Sequence, residues 1–378
     1  MKKPSILVLS FSDLSRDPRV NRQVRTLAEK FSVTFAGFGA GKDIAVRFVE
    51  LNVFPNSVTY KLKKAVQLFF RCSEKFYWAQ SPVRSALEKF KGEKFDLVVA
   101  NDIDSLPLAL KIANGSPVYF DAHEYHPREF EDRLSWRIFQ QPYKKYLCAQ
   151  YLKSTSVMTT VCQGIADEYK KEYDVDVDVV LNVPDYQEIS PSVIESGQIR
   201  LVHHGAAISS RNLEEMIDMF EFLDNRFSLD FMLVPSDVRY FADLKKRAER
   251  YPKIRFIDPV PMRKIVESIN CYDLGVYILP PTSFNNEYAL PNKLFEFIQA
   301  RLGVAIGPSP EMAKIVKDQN IGVVATSFSA WDLAYALNGI SLEDVRVMKN
   351  NATESAKIFC FDQNAKKILC LAEKALGL

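Results

Sequence analysis

"YALPNKLFEFIQARLGVAIGPSPEM" runs from Tyr288 to Met312. Pro291 suits the first turn of a helix, where its missing N–H would have no partner anyway. From Asn292 onward the helical wheel divides. Leu294, Phe297 and Ile298 share one face, while Asn292, Lys293 and Glu296 share another. An apolar run, "GVAIGP", follows as a strand. The apolar face is suited to docking on a sheet. The polar face sits at a helix start, where free N–H groups and the dipole attract phosphate. Lys293 adds a full charge, and Glu296 one turn on can accept hydrogen bonds from two neighbouring hydroxyls. Two readings stay open: a surface Lys–Glu pair at i,i+3, or a seat for a nucleotide diphosphate and its ribose.

Working outward, strand-like runs alternate with helical patterns. "SILVLSF" (5–11), "VTFAGFG" (33–39), "FDLVVAN" (95–101), "PVYFDAH" (117–123) and "VMTTVC" (157–162) form one series, with a helix expected over 19–31. "IRLVHHG" (199–205) opens a second series, followed by a helix over 212–223 and further strands to 327. Such alternation predicts an α/β protein built from parallel βαβ units. A chain of 378 residues suits two such domains. The expected division is 1–183, a linker rich in Pro, Ser and acids over 184–198, a second domain over 199–352, and a C-terminal helix from 353 to 378 crossing the junction. Ligands of doubly wound sheets bind at the carboxyl ends of the strands, so the two domains are expected to face a central cleft.

Bulk composition excludes several classes. With 49 basic and 47 acidic residues, the net charge of +2 offers no global field for nucleic acid. The six cysteines are scattered and form no C-x-x-C pair, which fits a reducing cytoplasm and argues against a zinc site. The first residues read as a strand rather than a signal peptide, and no apolar stretch reaches membrane-spanning length.

All four histidines fall in "DAHEYHPREF" and "LVHHGAAISSRN". His123 follows a strand and can hydrogen-bond a sugar hydroxyl or support leaving-group charge. His126 and His203 read more plainly as core or surface residues. Gly205 lets backbone approach a ligand closely, and Arg211, expected at a helix start, can clamp phosphate with its planar fork. Asn101 and Asp102 follow another strand, as do Asp13, Arg16, Asp17 and Arg19, with Asp17 placed to cap the helix that Pro18 opens. Segment 60–80 mixes Lys61, Lys63, Lys64, Arg71 and Lys75 with aromatic and aliphatic residues. It can lie on an anionic membrane or pack on its own domain with a solvated basic side.

"LPNKLFEFIQARLGVAIGPSPEMAKIV" resembles the donor-site segment of retaining GT-B glycosyltransferases of the large glycogen-synthase-like, family-four group, whose pattern is L-P-N-K-x-x-E-[YF]. "SRDPRVNRQVRTLAEKFSVTFAGFG", "PVYFDAHEY" and "VVLNVPD" resemble further segments of that group, so the likeness covers nearly the whole chain. The resemblance implies a GT-B architecture of two Rossmann-like domains. It implies transfer of a sugar with retention from a nucleotide-diphosphate sugar, a UDP-sugar above all, to a glycan or lipid-linked acceptor, as in cell-surface polysaccharide synthesis. The N-terminal domain would hold the acceptor and the C-terminal domain the donor. His123 matches the histidine of the group's D-x-H-[ED] segment. Lys293 and Arg211 would share the diphosphate as catalytic residues, with Gly205, Asn292, Glu296, Glu287 and Leu290 around the nucleotide. No cofactor and no metal are expected. The enzyme would be cytoplasmic, peripheral at the inner face of the membrane if 60–80 lies on lipid.

The sequence also departs from that pattern. The group's two glutamates are separated by seven residues; counting back from Glu296 lands on Tyr288, so Glu287 is one residue early. Arg301 and Gly303 stand where Gly and Pro are usual, and Ala206 replaces the arginine of a common Arg–Lys pair. A GT-B-fold sugar-nucleotide epimerase and a non-catalytic nucleotide-sugar-binding partner are the alternatives.

Overall fold

A computed structural model describes residues 3–41, 45–195 and 197–378; Ser196, in the expected linker, lies outside them. The chain forms two compact units. The first comprises Met1–Leu181, Ser283–Asn285 and Asn364–Leu378, and the second Asn182–Thr282 and Asn286–Gln363.

The first unit carries β1 (Ser5–Leu9), β2 (Ser32–Gly37), β3 (Arg47–Glu50), β4 (Leu97–Asn101), β5 (Val118–Ala122), β6 (Val157–Thr160) and β7 (Asp178–Val179). They pair in parallel in the order β3-β2-β1-β4-β5-β6-β7. The central strands are apolar on both faces because helices cover both, and Ile6, Leu7, Val8, Val98 and Val99 are fully buried. Strand order reverses between β1 and β4, which opens the sheet's carboxyl edge there. The Pro18–Lys30 helix begins at Asp17, whose carboxylate accepts the Val20 N–H, and it buries Val20, Val24 and Leu27.

The second unit carries β8 (Ile199–Ala206), β9 (Phe227–Val234), β10 (Ile254–Ile257), β11 (Leu274–Tyr277), β12 (Gly303–Ile306) and β13 (Gly322–Val324). Their order is β10-β9-β8-β11-β12-β13, again parallel, with the switch between β8 and β11. The Asn292–Gln299 helix packs its Leu294, Phe297 and Ile298 face on this sheet. Gly275 makes that possible: a Cβ there would lie 2.2 Å from the Phe297 ring.

Several elements differ from expectation for visible reasons. The helix expected over 212–223 is a short turn of helix, Glu214–Asp218, followed by a 3-10 turn, Met219–Glu221. Asn212, at φ +46°, breaks the chain before it, and the Tyr240 hydroxyl accepts the Leu213 N–H in place of a capping side chain. Arg211 therefore sits in the 3-10 turn Ser209–Arg211, not at a helix start. The tail is two helices, Leu342–Ile358 and Phe361–Leu376, rather than one from 353. The last fifteen residues belong to the first unit, where Lys30 pairs with Glu373 at 2.6 Å and Lys367 with Asp178 at 3.2 Å.

Arg301 occupies a glycine's place in earnest. Its φ is +60°, a region costly for a residue with a Cβ. Its buried guanidinium offsets that cost by donating to the carbonyls of Gln299 and Gln187, each at 2.6 Å. Gln187 in turn donates its N–H to Gln299 Oε1 at 3.0 Å, and Ser192 Oγ accepts from Lys349 Nζ at 2.9 Å. The acidic, Ser-rich stretch is thus pinned to the second unit. No helix among the described residues is long and apolar enough to cross a membrane.

Candidate functional site

In the second unit the site is built at the switch between β8 and β11. β8 ends on His203, His204 and Gly205, β11 on Tyr277, and the Asn292–Gln299 helix begins beside them. Lys293 is only 6% exposed. Its Nζ lies 4.1 Å from the centre of the Tyr277 ring and 3.5 Å from His203 Nε2. Among the described residues neither Lys293 nor Arg211 enters an ion pair. Burial, and then the Arg211 charge, hold the Lys293 pKa well below its ordinary value.

Two neighbours define the state of this ammonium. His203 Nδ1 lies 2.8 Å from the Val276 carbonyl, so the proton belongs on Nδ1 and the Nε2 lone pair faces Lys293. Burial, followed by the Lys293 charge, keeps His203 neutral. Gly205, at φ +122°, removes the side chain that would crowd the pair. A Cβ there would stand 3.3 Å from Lys293 Nζ and 3.8 Å from Arg211 NH1. The two cations therefore converge on a strip of bare backbone.

Asn292 opens the helix, and no side chain caps it. Glu296 lies one turn on, with its carboxylate 3.4 Å from His204 Nε2 but off hydrogen-bond geometry. Burial, then the Lys293 charge, pushes His204 down to about 3, leaving a neutral ring. Leu290 is buried at the approach to the helix, and Glu287 ends the short Phe284–Glu287 helix, partly exposed. The structure thus brings Gly205, Arg211, Lys293, Asn292 and Glu296 around one β8–β11 edge. His204, which the sequence reading did not single out, joins them; the doubled histidine at a strand end was the available signal.

The first unit places His123 just after β5. Its Nε2 lies 3.1 Å from Asn101 Oδ1 and 3.5 Å from Asp121 Oδ2, and its Nδ1 3.3 Å from Asp102 Oδ2. Burial opposes charging this ring, but Asp102 and then Asp121 outweigh it and hold its pKa above the usual histidine value. Asp121 is itself clamped by Arg19, with Nε at 2.9 Å and NH2 at 2.6 Å, and by the Thr159 hydroxyl at 2.7 Å. Arg19 is therefore a buried structural partner of Asp121. His126 is buried and accepts the Ile103 N–H at 3.2 Å, which fixes the loop after β4.

His123, Asp102 and Glu124 line a cavity of about 180 Å³. The Glu124 carboxylate is pushed up to about 7 by burial and by the Glu129 charge. Among the described residues no group of three or more His, Cys, Asp or Glu side chains is placed to hold a metal ion.

No protein-family model and no curated protein matches the chain by sequence. Solved structures match over its whole length. Sucrose-phosphate synthase from Thermosynechococcus elongatus is 11% identical, with a TM-score of 0.71 and 99% of this chain and 100% of that one covered. HepE from Anabaena, solved in complex with UDP-glucose, is 14% identical, with a TM-score of 0.68 over 99% and 100%. The UDP-forming α,α-trehalose-phosphate synthase from Burkholderia vietnamiensis is 10% identical, with a TM-score of 0.68 over 100% of both chains. The chain has the GT-B fold of these glycosyltransferases.

Proposed function

We propose that the chain is a glycosyltransferase that retains the configuration of the transferred sugar, with a UDP-sugar as donor and a glycan or lipid-linked saccharide as acceptor. The observation that carries the donor site is the buried Lys293, converging with Arg211 on the backbone at Gly205. Burial and the Arg211 charge disfavour the Lys293 ammonium more than the nearby Glu296 carboxylate supports it, and a bound diphosphate would add the missing negative charge. Structures of the same fold support the choice of nucleotide, since HepE was solved with UDP-glucose, with UDP and glucose, and with UDP.

In this reading Lys293, Arg211 and the helix start at Asn292 stabilise the charge that develops on the leaving diphosphate, in place of a divalent cation. The diphosphate accepts the acceptor's proton as the acceptor attacks from the face the nucleotide leaves. Glu296 accepts hydrogen bonds from the ribose, Leu290 and Glu287 flank the nucleotide, and His123 hydrogen-bonds the transferred sugar. Protonated His123 adds a positive charge, and its carboxylate neighbours favour that state. We place the enzyme in the cytoplasm, at the inner face of the membrane, in cell-surface polysaccharide synthesis.

The test compares UDP with its 2′-deoxy analogue by calorimetry. Wild type should bind UDP more tightly, and Glu296→Ala should lose about 1.5–3 kcal/mol for UDP while hardly distinguishing the two. Equal binding of both nucleotides by wild type, unchanged in the variant, would remove Glu296 from the site. No binding of UDP at all would remove the function.

A further inference from the structure

The helix Val58–Phe69 presents an unusual face. Val58, Leu62 and Val66, at helical spacing, are 81%, 66% and 48% exposed, and Phe70 just beyond is 69% exposed. The helix Leu134–Phe139 extends the same surface: Arg71 donates to the Ile138 carbonyl at 3.0 Å, and the Phe69 and Phe139 rings lie 6.4 Å apart. Leu134 and Ile138 are likewise exposed. Neither 57–71 nor 133–153 contains an acidic residue, while Lys61, Lys63, Arg71, Arg133 and Arg137 are exposed among the apolar side chains. Within these stretches a protein partner's cations would meet no anion; exposed Asp132 and Glu74 stand only at their edges. An anionic bilayer satisfies both features, with acyl chains for the apolar ridge and headgroups for the cations.

Behind this face lies a cavity of about 330 Å³. Its walls are aromatic, with Phe54, Tyr60, Phe76, Phe130 and Trp136. Its floor is polar: Lys144 bridges Asp104 at 2.7 Å and Glu129 at 3.4 Å. These three residues also line the smaller cavity that holds His123, so the two adjoin. The passage runs from apolar walls to a charged end. Aromatic faces take sugar rings and lipid chains, and the charged floor takes hydroxyls.

We propose that the Val58–Phe69 and Leu134–Phe139 face docks on an anionic lipid surface and that the aromatic cavity behind it receives the head group of a lipid-borne saccharide acceptor. The acceptor assignment rests on the glycosyltransferase reading; the docking does not. Two parallel assays on the full chain test the proposal. Co-sedimentation uses vesicles of phosphatidylglycerol and phosphatidylcholine against vesicles of phosphatidylcholine alone. Calorimetry uses decyl glucoside below its micelle concentration against methyl glucoside.

Binding should require phosphatidylglycerol and weaken with salt. Lys61→Glu with Lys63→Glu should lower it ~tenfold or more, and Leu62→Ser with Phe70→Ser should abolish it. Decyl glucoside should bind where methyl glucoside does not, and Gln140→Trp, filling the cavity, should remove that binding while vesicle binding persists. UDP binding is measured on every preparation. Vesicle binding that ignores lipid charge or survives the serine pair overturns the docking. A dimer that dissociates in the serine pair assigns the face to a second copy and overturns it too. Equal binding of the two glucosides overturns the cavity assignment. Intact UDP binding beside any of these failures leaves the glycosyltransferase reading standing.

Discussion

At their carboxyl edges the two sheets treat buried cations differently. In the first unit each buried cation near the carboxyl edge has its anion: Arg19 grips Asp121, and Lys144 bridges Asp104 and Glu129. In the second unit Lys293 is as deeply buried, yet it rests on a tyrosine ring and a neutral imidazole. A satisfied pair holds a fold together and needs nothing more. A buried ammonium without an ion-pair partner is driven toward its neutral form, and an anionic ligand favours the charged one. The same residue types therefore mark structure in one unit and a candidate binding function in the other.

Breaking the satisfied side should have the largest effect. Arg19→Met leaves Asp121 buried without its clamp and should cost about 3–5 kcal/mol in urea unfolding. A loss under 1 kcal/mol would mean that the pair is not structural. Lys293→Met should do the reverse: stability unchanged or raised, and UDP affinity reduced by about 1.5–3 kcal/mol. A destabilised Lys293→Met with normal UDP binding would erase the contrast between the units.

The smallest effect sharpens the comparison through pH. His123 has its pKa raised in the folded state, so its ion-pair stabilisation is complete below the ordinary value of about 6.5 and is lost as pH rises through the raised value. The melting temperature of wild type minus that of His123→Gln should therefore shrink from mildly acidic to alkaline pH. A difference that stays constant over that range would show that Asp102 and Asp121 do not hold the proton on His123.

Much of this was legible in residue order because it depends on local periodicity. Alternating apolar runs produced both parallel sheets, and Asp17 before Pro18 marked a helix start that the structure keeps. The helix at Asn292 could be drawn from its wheel alone. What could not be read were pairings between distant strands. Arg19 read as the start of a helix, and nothing in residue order pointed to its partner 102 positions away in β5. Lys293 read either as part of a solvated Lys–Glu pair or as a seat for a diphosphate, and only the fold shows that the sheet edge buries it. Arg211 missed its helix because a left-handed Asn212 intervenes, a backbone choice that composition does not announce.

The pinned stretch before β8 bears on how the chain can be cut. By composition 184–198 looks dispensable, and a fragment of the second unit would be started at Ile199. Such a fragment would strip Gln187 from the Arg301 guanidinium and from Gln299, and Ser192 from Lys349. It would keep a left-handed arginine while removing one of the contacts that offset its cost. A fragment meant to fold should begin near Asn182, where the compact unit itself begins.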